Sequence, residues 1–317
     1  MTSMSRRVIE RLVTRDDYFH IPHRAEPDPT DPCRSYYYDL RARIHYPGIF
    51  ENGLPVMVVG DRSFVSPIGA VQFGLAHLQH YWDTADERYL RRAVDIAANT
   101  IDMAEESLGL VWRYPIYVRG HSNWISSMMQ GQAASLLLRV GALTGSDSLL
   151  DKGRAALTPL EYDIGYGGVR TMLDGHIWFE ECAIQPPAFT LNGFIVTLFS
   201  LRDALIILND SRYHELWNRG VESLIANLWH FDSAGWSLYD MSTQAIGPLL
   251  LGNLASPFYH RFHIELLIAM EKITGGDVFG RQRQRWVAGL EKGPAFYRGV
   301  LGKALYRLLS PVAYARV

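Results

Sequence analysis

The sequence predicts an all-α fold, an incomplete α/α toroid built from helical hairpins with short β-hairpin connections and an N-terminal arm. Three observations lead there. Helical apolar periodicity runs from Pro67 onward and comes in pairs, one strongly apolar helix followed by a more amphipathic one. The turns inside the pairs resemble one another: Thr84-Ala85-Asp86-Glu87-Arg88-Tyr89, Thr144-Gly145-Ser146-Asp147-Ser148-Leu149, Asn209-Asp210-Ser211-Arg212-Tyr213 and Thr274-Gly275-Gly276-Asp277-Val278-Phe279. Each offers a Gly or polar stop for the first helix and a Ser or Asp that can cap the free amides of the next. Between the pairs, stretches such as Val111 to Val118 and Gly235 to Tyr239 alternate like short strands, interspersed with Gly and Pro.

In chain order, residues 1–66 form the arm. Ile21 to Pro32 is rich in Pro and acidic residues, and the run from Tyr36-Tyr37-Tyr38-Asp39-Leu40 to Gly60 has no helical period. Its aromatics read as packing anchors, not ligand contacts. Residues 67–317 form the toroid domain. Its first helices begin near Pro67, Trp124, Thr190 and Tyr259, a unit of roughly 60 to 70 residues, longer than common solenoid repeats. The excess length lies in aromatic connections at one end of successive hairpins, where loops positioned by a rigid scaffold carry function. The last stretch, Phe296 to Val317, sets Arg298, Lys303 and Arg307 against Val300, Leu301, Leu305, Leu308 and Leu309. We read it as a final helix docked on the bundle; the alternative is attachment to anionic lipid, assisted by Arg6, Arg7, Arg11 and Arg15.

Composition narrows the function classes. The chain has 317 residues, 48% of them hydrophobic and 12% aromatic, enough for a large core. Its 31 basic and 33 acidic residues leave a formal charge of -2, so it has no global footprint for nucleic acid. Cys33 and Cys182 are far apart and lack metal-ligand spacing, which argues against a disulfide framework or a zinc site. The N-terminus lacks the apolar run of a signal peptide, and no stretch reaches the roughly 18 uninterrupted apolar residues of a membrane span. The expected location is the cytoplasm, with peripheral contact at the inner membrane as the alternative for the basic termini.

Three segments crowd polar and aromatic groups next to helix starts. The first runs from His176-Ile177-Trp178-Phe179-Glu180-Glu181-Cys182 through Gln185-Pro186-Pro187 to Leu191-Asn192-Gly193-Phe194. The second is Trp124 to Ser135, where Gln130 and Gln132 interrupt an apolar helical pattern. The third contains Tyr239-Asp240, Asn253-Leu254 and Phe258-Tyr259-His260-Arg261-Phe262-His263. Adjacent carboxylates, tyrosines and histidines in this setting suit acid/base chemistry in a sugar-binding cleft. Bland readings stand beside these: Glu180 and Glu181 as charges ahead of a helix N-terminus, Gln130 and Gln132 as satisfied packing amides, and most tryptophans as core. His260 and His263 have i, i+3 spacing, but no third ligand motif accompanies them, so no metal is expected.

At these segments the chain resembles the catalytic C-terminal region of the D-glucuronyl 5-epimerases, the heparosan and heparan glucuronate epimerases. The likeness rests on Pro67-Ile68 with Gln72-Phe73-Gly74-Leu75, Trp124 with Met129-Gln130-Gly131-Gln132-Ala133, and Glu180-Glu181 followed by Leu191-Asn192-Gly193-Phe194. It continues through Tyr239-Asp240, Asn253-Leu254-Ala255 and Tyr259-His260 with His263. The resemblance implies an α/α toroid, inversion at carbon 5 of glucuronate within a polymer to give iduronate, no cofactor, and a homodimer. Animal members carry a β-rich insertion that the short distance between Gln72 and Trp124 excludes here, so the chain looks like a minimal bacterial version. By the same resemblance Glu181 and Tyr259 act on opposite faces of the sugar, and Tyr239 supplies a further tyrosine. The family often has Tyr where this chain has Cys182, and Leu-Arg where it has Met241-Ser242, which leaves the partner of the substrate carboxylate unassigned.

Epimerisation needs two acid/base groups flanking the ring. A tyrosine titrates near pH 10, so bringing it to about 7 requires roughly 4 kcal/mol of differential stabilisation. His260, His263, Arg261 and Arg119 are the candidate cations. Donors to the developing charge on the carboxylate are Arg119, His176, Asn192 and Gln130. Trp124, Trp178 and Tyr259 are candidates for stacking on sugar faces, and Glu180 and Asn253 complete the expected substrate contacts. Rival readings are a polysaccharide lyase, a glycoside hydrolase with Glu180 or Glu181 in its acid/base pair, and a non-catalytic glycan-binding subunit of polysaccharide biosynthesis.

Overall fold

A computed structural model of the chain describes residues 24–25, 31–59, 62–242, 252–291 and 293–309. These residues form a mostly helical protein. After a three-stranded antiparallel meander, β1 (Phe50–Glu51), β2 (Leu54–Val59) and β3 (Arg62–Val65), the helices come in hairpins: α1 (Pro67–Thr84) with α2 (Glu87–Asp102), and α3 (Ser127–Thr144) with α4 (Asp147–Leu157). Then follow α5 (Leu191–Leu208) with α6 (Ser211–Asn227), α7 (Pro257–Thr274) with α8 (Asp277–Leu290), and a last helix, α9 (Pro294–Leu309).

The connections are small antiparallel pairs. They comprise β4 (Glu105–Ser107) with β5 (Gly109–Val111), β6 (Arg113–Tyr114) with β7 (Trp124–Ile125), and β8 (Arg170–Leu173) with β9 (His176–Phe179). The last connection is a three-stranded sheet of β10 (Asp232–Ser233), β11 (Trp236–Asp240) and β12 (Asn253–Leu254).

Each first helix is 18 residues long and each turn after it follows one scheme. The chain leaves the first helix through a left-handed residue, Ala85, Gly145, Asn209 or Gly275. Asp86, Ser146 and Asp210 then cap the second helix by accepting a backbone N–H. Gly276 takes that place before α8 without a side chain to do so. The scheme expected from the four similar turns is present, with Ala85 adopting the left-handed conformation where a glycine was the simpler choice.

The two helices of a hairpin are buried differently. In α3, Met129 through Gly141 are all buried, whereas α2 buries only Ala93, Ile96, Ala97 and Thr100, one stripe at helical spacing. The first helices therefore form an inner row: α3 packs against α1 and α5, and α5 packs against α7. Close approach within the row needs small residues; a Cβ on Gly131 would lie 2.2 Å from Ser200 Oγ. Helix α5 is long and apolar enough to cross a membrane, but it lies in this inner row with 72% of that window buried.

The segment before β1 reaches side chains of all four first helices. Leu40 N–H donates to Gln79 Oε1 of α1 at 2.7 Å, and Gln132 of α3 donates to the Tyr36 and Tyr38 hydroxyls at 3.0 and 2.8 Å. The Tyr37 ring stacks on Phe199 of α5 at 4.2 Å, and Tyr38 meets Phe262 of α7 edge-on. At its centre Arg139 donates to both oxygens of Asp203 at 3.0 and 2.8 Å and to the carbonyls of Pro32 and Ser35. The Tyr37 hydroxyl donates to the same carboxylate at 2.7 Å, and the guanidinium lies over the Tyr36 ring at 4.8 Å. Residues Ile21 to His23, Glu26 to Thr30 and the basic Arg6 to Arg15 lie outside the described residues.

Both charges of the Arg139–Asp203 pair are almost wholly buried, at 1% and 0% side-chain exposure, so removing one leaves the other uncompensated. Arg139→Met is expected to cost about 3–5 kcal/mol. The double variant Arg139→Met/Asp203→Leu should recover part of that loss. Urea unfolding of the three proteins checks this; a single variant as stable as wild type would show that the pair is not what holds the arm.

Candidate active site

The two carboxylates follow directly on the β8–β9 hairpin, at the start of the loop that leads to α5. Glu180 is fully buried, and its oxygens accept the N–H groups of Ala188 and Phe189 at 3.2 and 2.8 Å. These bonds fold the loop after β9 back against the start of α5. They also hold Phe189 at φ 56°, a left-handed conformation costly for a bulky residue. Burial pushes the Glu180 carboxyl up to about 7, against the pull of the two amides.

Glu181 is only partly buried and turns to the N-terminus of α5. Asn192 Nδ2 donates to its Oε2 at 3.2 Å, and the Tyr239 hydroxyl donates to the same carboxylate. Gly193 makes room for it: a Cβ there would lie 2.6 Å from Glu181 Cβ and 2.7 Å from Oε2. Burial first, and then the charges of Asp240 and Glu180, push this carboxyl up to about 7 as well. Asn192 is itself buried, and its Oδ1 has no hydrogen-bond partner among the described residues. It is an acceptor beside the carboxylate, suited to a ligand hydroxyl.

From the other side come β11 and the first turn of α7. The rings of Tyr239 and Tyr259 meet edge-on at 4.7 Å, so Glu181, Tyr239 and Tyr259 share one site, with Tyr239 in the middle. Tyr114 approaches from β6, with its hydroxyl hydrogen-bonded to the backbone of Ile68 at the start of α1 and its ring close to Glu181 and Cys182. Burial drives the Cys182 thiol well above its ordinary range, and the neighbouring carboxylates reinforce this, so it stays protonated. Arg119 donates to Pro186 O at 2.9 Å and lies close enough to Glu180, Cys182 and Tyr306 to act on their charges.

A second layer stands behind Tyr239. Asp240 accepts Ser242 N–H and Oγ–H at 3.1 and 2.7 Å on one oxygen and Asn253 Nδ2 at 2.8 Å on the other. Lys303 of α9 donates to Asn253 Oδ1 at 2.7 Å. Asn253 is 1% exposed and serves as a link in this chain, where a substrate contact was expected.

Several other expected contacts are corrected by burial. Gln130 donates to the carbonyls of Leu110 and Ala156 and accepts Trp112 N–H, so its amide ties β5 and the following residue to α4. Trp178 is stacked between Phe194 at 3.8 Å and Phe231 at 5.5 Å, with no exposed face. Trp124 is 9% exposed, stacked on Tyr114 at 4.5 Å, and donates to Ile116 O.

His260 and His263 are fully buried on either side of Ser237 Oγ, each 2.8 Å from it through Nδ1. His260 Nδ1 accepts Ser237 N–H, so its Nε2 carries the proton and donates to Trp286 O. Burial lowers His260 to about 4 and holds His263 well below the ordinary imidazole range, so both are neutral and cannot act as cations beside Tyr259. Glu180 is fully buried with both oxygens bonded to loop amides, where a substrate contact was expected. His176 stands at the turn end of the β8–β9 hairpin, roughly 13 Å along the strand from Glu180. Among the described residues no group of His, Cys, Asp and Glu could hold a metal ion.

Lys303, Asp240, Ser242 and Tyr114 join the site without having been singled out for it. Asp240 was visible beside Tyr239; Lys303 read as one of the basic residues of an amphipathic final helix. The raised carboxyl of Glu181 has a thermodynamic consequence. The fold keeps it protonated between about pH 4.5 and 7, where the unfolded chain has already ionised it, so stability falls as pH rises through that window. Glu181→Gln removes this cost. It is expected to match wild type near pH 4 and to exceed it near pH 8 by on the order of 2–3 kcal/mol in urea unfolding. An equal difference at both pH values would contradict the raised carboxyl.

A family model described as D-glucuronyl C5-epimerase C-terminus matches residues 104–288, more than half of the chain. The chain is 32% identical over 176 residues to a D-glucuronyl C5-epimerase of Caenorhabditis elegans, a stretch covering 52% of this chain and 28% of that protein. It is 23% identical over 217 residues to an uncharacterized protein of Methanocaldococcus jannaschii, covering 63% of this chain and 67% of the relative. The match thus spans less than a third of the nematode enzyme. The family-model match contains Glu181, Tyr239 and Tyr259 and ends before α9. The chain belongs to the D-glucuronyl C5-epimerase family, of which it carries the C-terminal domain.

Proposed function

We propose that the protein is an isomerase acting on uronate residues within a polysaccharide, inverting carbon 5 of D-glucuronate to give L-iduronate in a heparosan-like polymer. The inner row of helices would then be part of an incomplete α/α toroid with its cleft at their N-terminal ends. The observation that carries the reading is the triad of Glu181, Tyr239 and Tyr259, in which a carboxyl raised to about 7 accepts from one tyrosine whose ring abuts the other. A general base works best with a pKa near the working pH, and Glu181 has that property.

The carbon 5 proton lies beside a carboxylate, so its removal by Glu181 spreads charge onto that group. Return of a proton from the other face by a tyrosine completes the inversion without breaking the chain. In this reading Tyr259 is the acid on that face, and Tyr239 holds the Glu181 carboxylate in place. Asn192 Oδ1 and Arg119 would serve a sugar hydroxyl and a carboxylate, respectively. Membership of the epimerase family supports the reaction class, and the nematode relative's name supports a glucuronyl residue as substrate; the polymer rests on the motif resemblance.

Incubation with heparosan in deuterated water tests this directly. The expected product carries solvent deuterium at carbon 5 with chain length unchanged. Chain shortening with an unsaturated uronate would make the protein a lyase, new reducing ends without unsaturation a hydrolase, and binding without exchange a glycan-binding subunit. Glu181→Gln and Tyr259→Phe are each expected to lower the exchange rate about 10²–10⁴-fold while leaving the protein folded.

A further inference from the structure

We propose that Lys303 is a positioning residue of this reaction, which through Asn253 and Asp240 fixes the strand that aims the Tyr239 hydroxyl at Glu181. The inference rests on the epimerase reading for its catalytic meaning, but the contact itself is independent of it. The Lys303 ammonium lies over the Tyr239 ring, 5.4 Å from its centroid, and over the Tyr306 ring at 5.3 Å. One of its protons goes to Asn253 Oδ1 at 2.7 Å, and Asn253 passes the bond on to Asp240, the residue after Tyr239. Lys303 is 6% exposed, so its charge acts with little solvent screening.

The helix that carries Lys303 is shaped to bring it there. Gly299 and Gly302 face β11 and β12: a Cβ would lie 2.3 Å from the Trp236 ring at one and 2.5 Å from Leu254 Cδ1 at the other. With these two glycines α9 seats against both strands, and the next residue enters the space behind Tyr239. The residues that follow Tyr239 in the chain, Asp240, Met241 and Ser242, supply no cation. The charged and titratable groups facing the pair are Asp240 on β11, Tyr306 and Arg307 on α9, Tyr259 and His263 on α7, and Glu181 after β9. His263 is neutral, Asp240 is bonded to Ser242 and Asn253, and the Lys303 ammonium lies over the Tyr239 ring. Burial brings its own ammonium down to about 7, with Asp240 opposing the shift and Arg307 adding to it.

Lys303→Met, which keeps the side-chain volume, removes the ammonium that anchors Asn253. It is expected to lower kcat for deuterium exchange about 10–100-fold with KM within about threefold, and Lys303→Arg to recover part of the loss. Asn253→Ala, which leaves the ammonium unanchored, should act in the same direction more weakly. The Glu181 carboxyl gives a readout that needs no substrate. The Tyr239 bond holds its pKa down, so its titration, followed by carbon-13 NMR, should move up by as much as about one pH unit in Lys303→Met, Asn253→Ala and Tyr239→Phe alike. An unchanged Glu181 titration in Lys303→Met overturns the inference, as does a Lys303→Met effect confined to KM, which would make the lysine a substrate contact. If wild type shows no exchange but the Glu181 shift is present, the contact stands and the epimerase reading fails.

Discussion

The burial of Glu180 is the constraint on which the site depends. A carboxylate with no exposure is tolerated because both its oxygens accept backbone N–H groups, from Ala188 and Phe189. Those two bonds close the loop between β9 and α5, and closing it decides what the next residue can do. Glu181 has to point the opposite way, toward Asn192 and the space left by the absent side chain of Gly193. Two adjacent residues of one type thus differ in role for a simple reason: the backbone takes one and leaves the other to the cleft.

The same economy appears at the other helix starts. The Tyr114 hydroxyl bonds the backbone at Ile68 where α1 begins, Glu181 lies against the first turn of α5, and Tyr259 is in the first turn of α7. Each first helix enters from a short strand or from the loop that follows one, so strand-end residues and helix-start residues meet at one end of the row. Helix N-termini carry partial positive charge, which suits a site for an anionic group. The arm works in the other half of the helices. Gln132, six residues into α3, donates to the hydroxyls of Tyr36 and Tyr38, and Gln72, at the same depth in α1, donates to Gln132. That polar layer joins the arm to the middle of the row, and the Arg139–Asp203 pair lies two turns further on.

Much of this was legible in the sequence. The apolar runs, the four similar turns and the strand-like connections determine the hairpins, because caps and periodicity are local. The Glu180-Glu181 pair, Tyr239 and Tyr259 stood out through motif order. What was not legible depends on neighbours distant in the chain. Nothing near Gln130 tells that Leu110, Trp112 and Ala156 will satisfy its amide, and nothing near His260 tells that Ser237 and Trp286 will keep it neutral. Lys303 is the sharpest case. On a helical wheel it sits beside Arg307, one turn further on, yet Gly299 and Gly302 turn that part of α9 inward. Small residues beside a lysine were the available signal, and it reads as a buried face only once the surface they pack against is known.

The buried ionisable groups of the site oppose one another across the pH scale. Glu180 and Glu181, raised to about 7, cost nothing in acid and their full desolvation penalty above neutrality. Lys303, lowered to about 7, has the reverse dependence: its penalty is complete below neutrality and fades as the unfolded chain also loses the proton at higher pH. The two costs overlap most where all three groups are half-ionised, near neutral pH. A fold selected only for stability would replace such groups with apolar ones of similar size. Their retention around two tyrosines, while the arm half of the molecule pairs Arg139 with Asp203, fits a site whose groups must change protonation state in order to work.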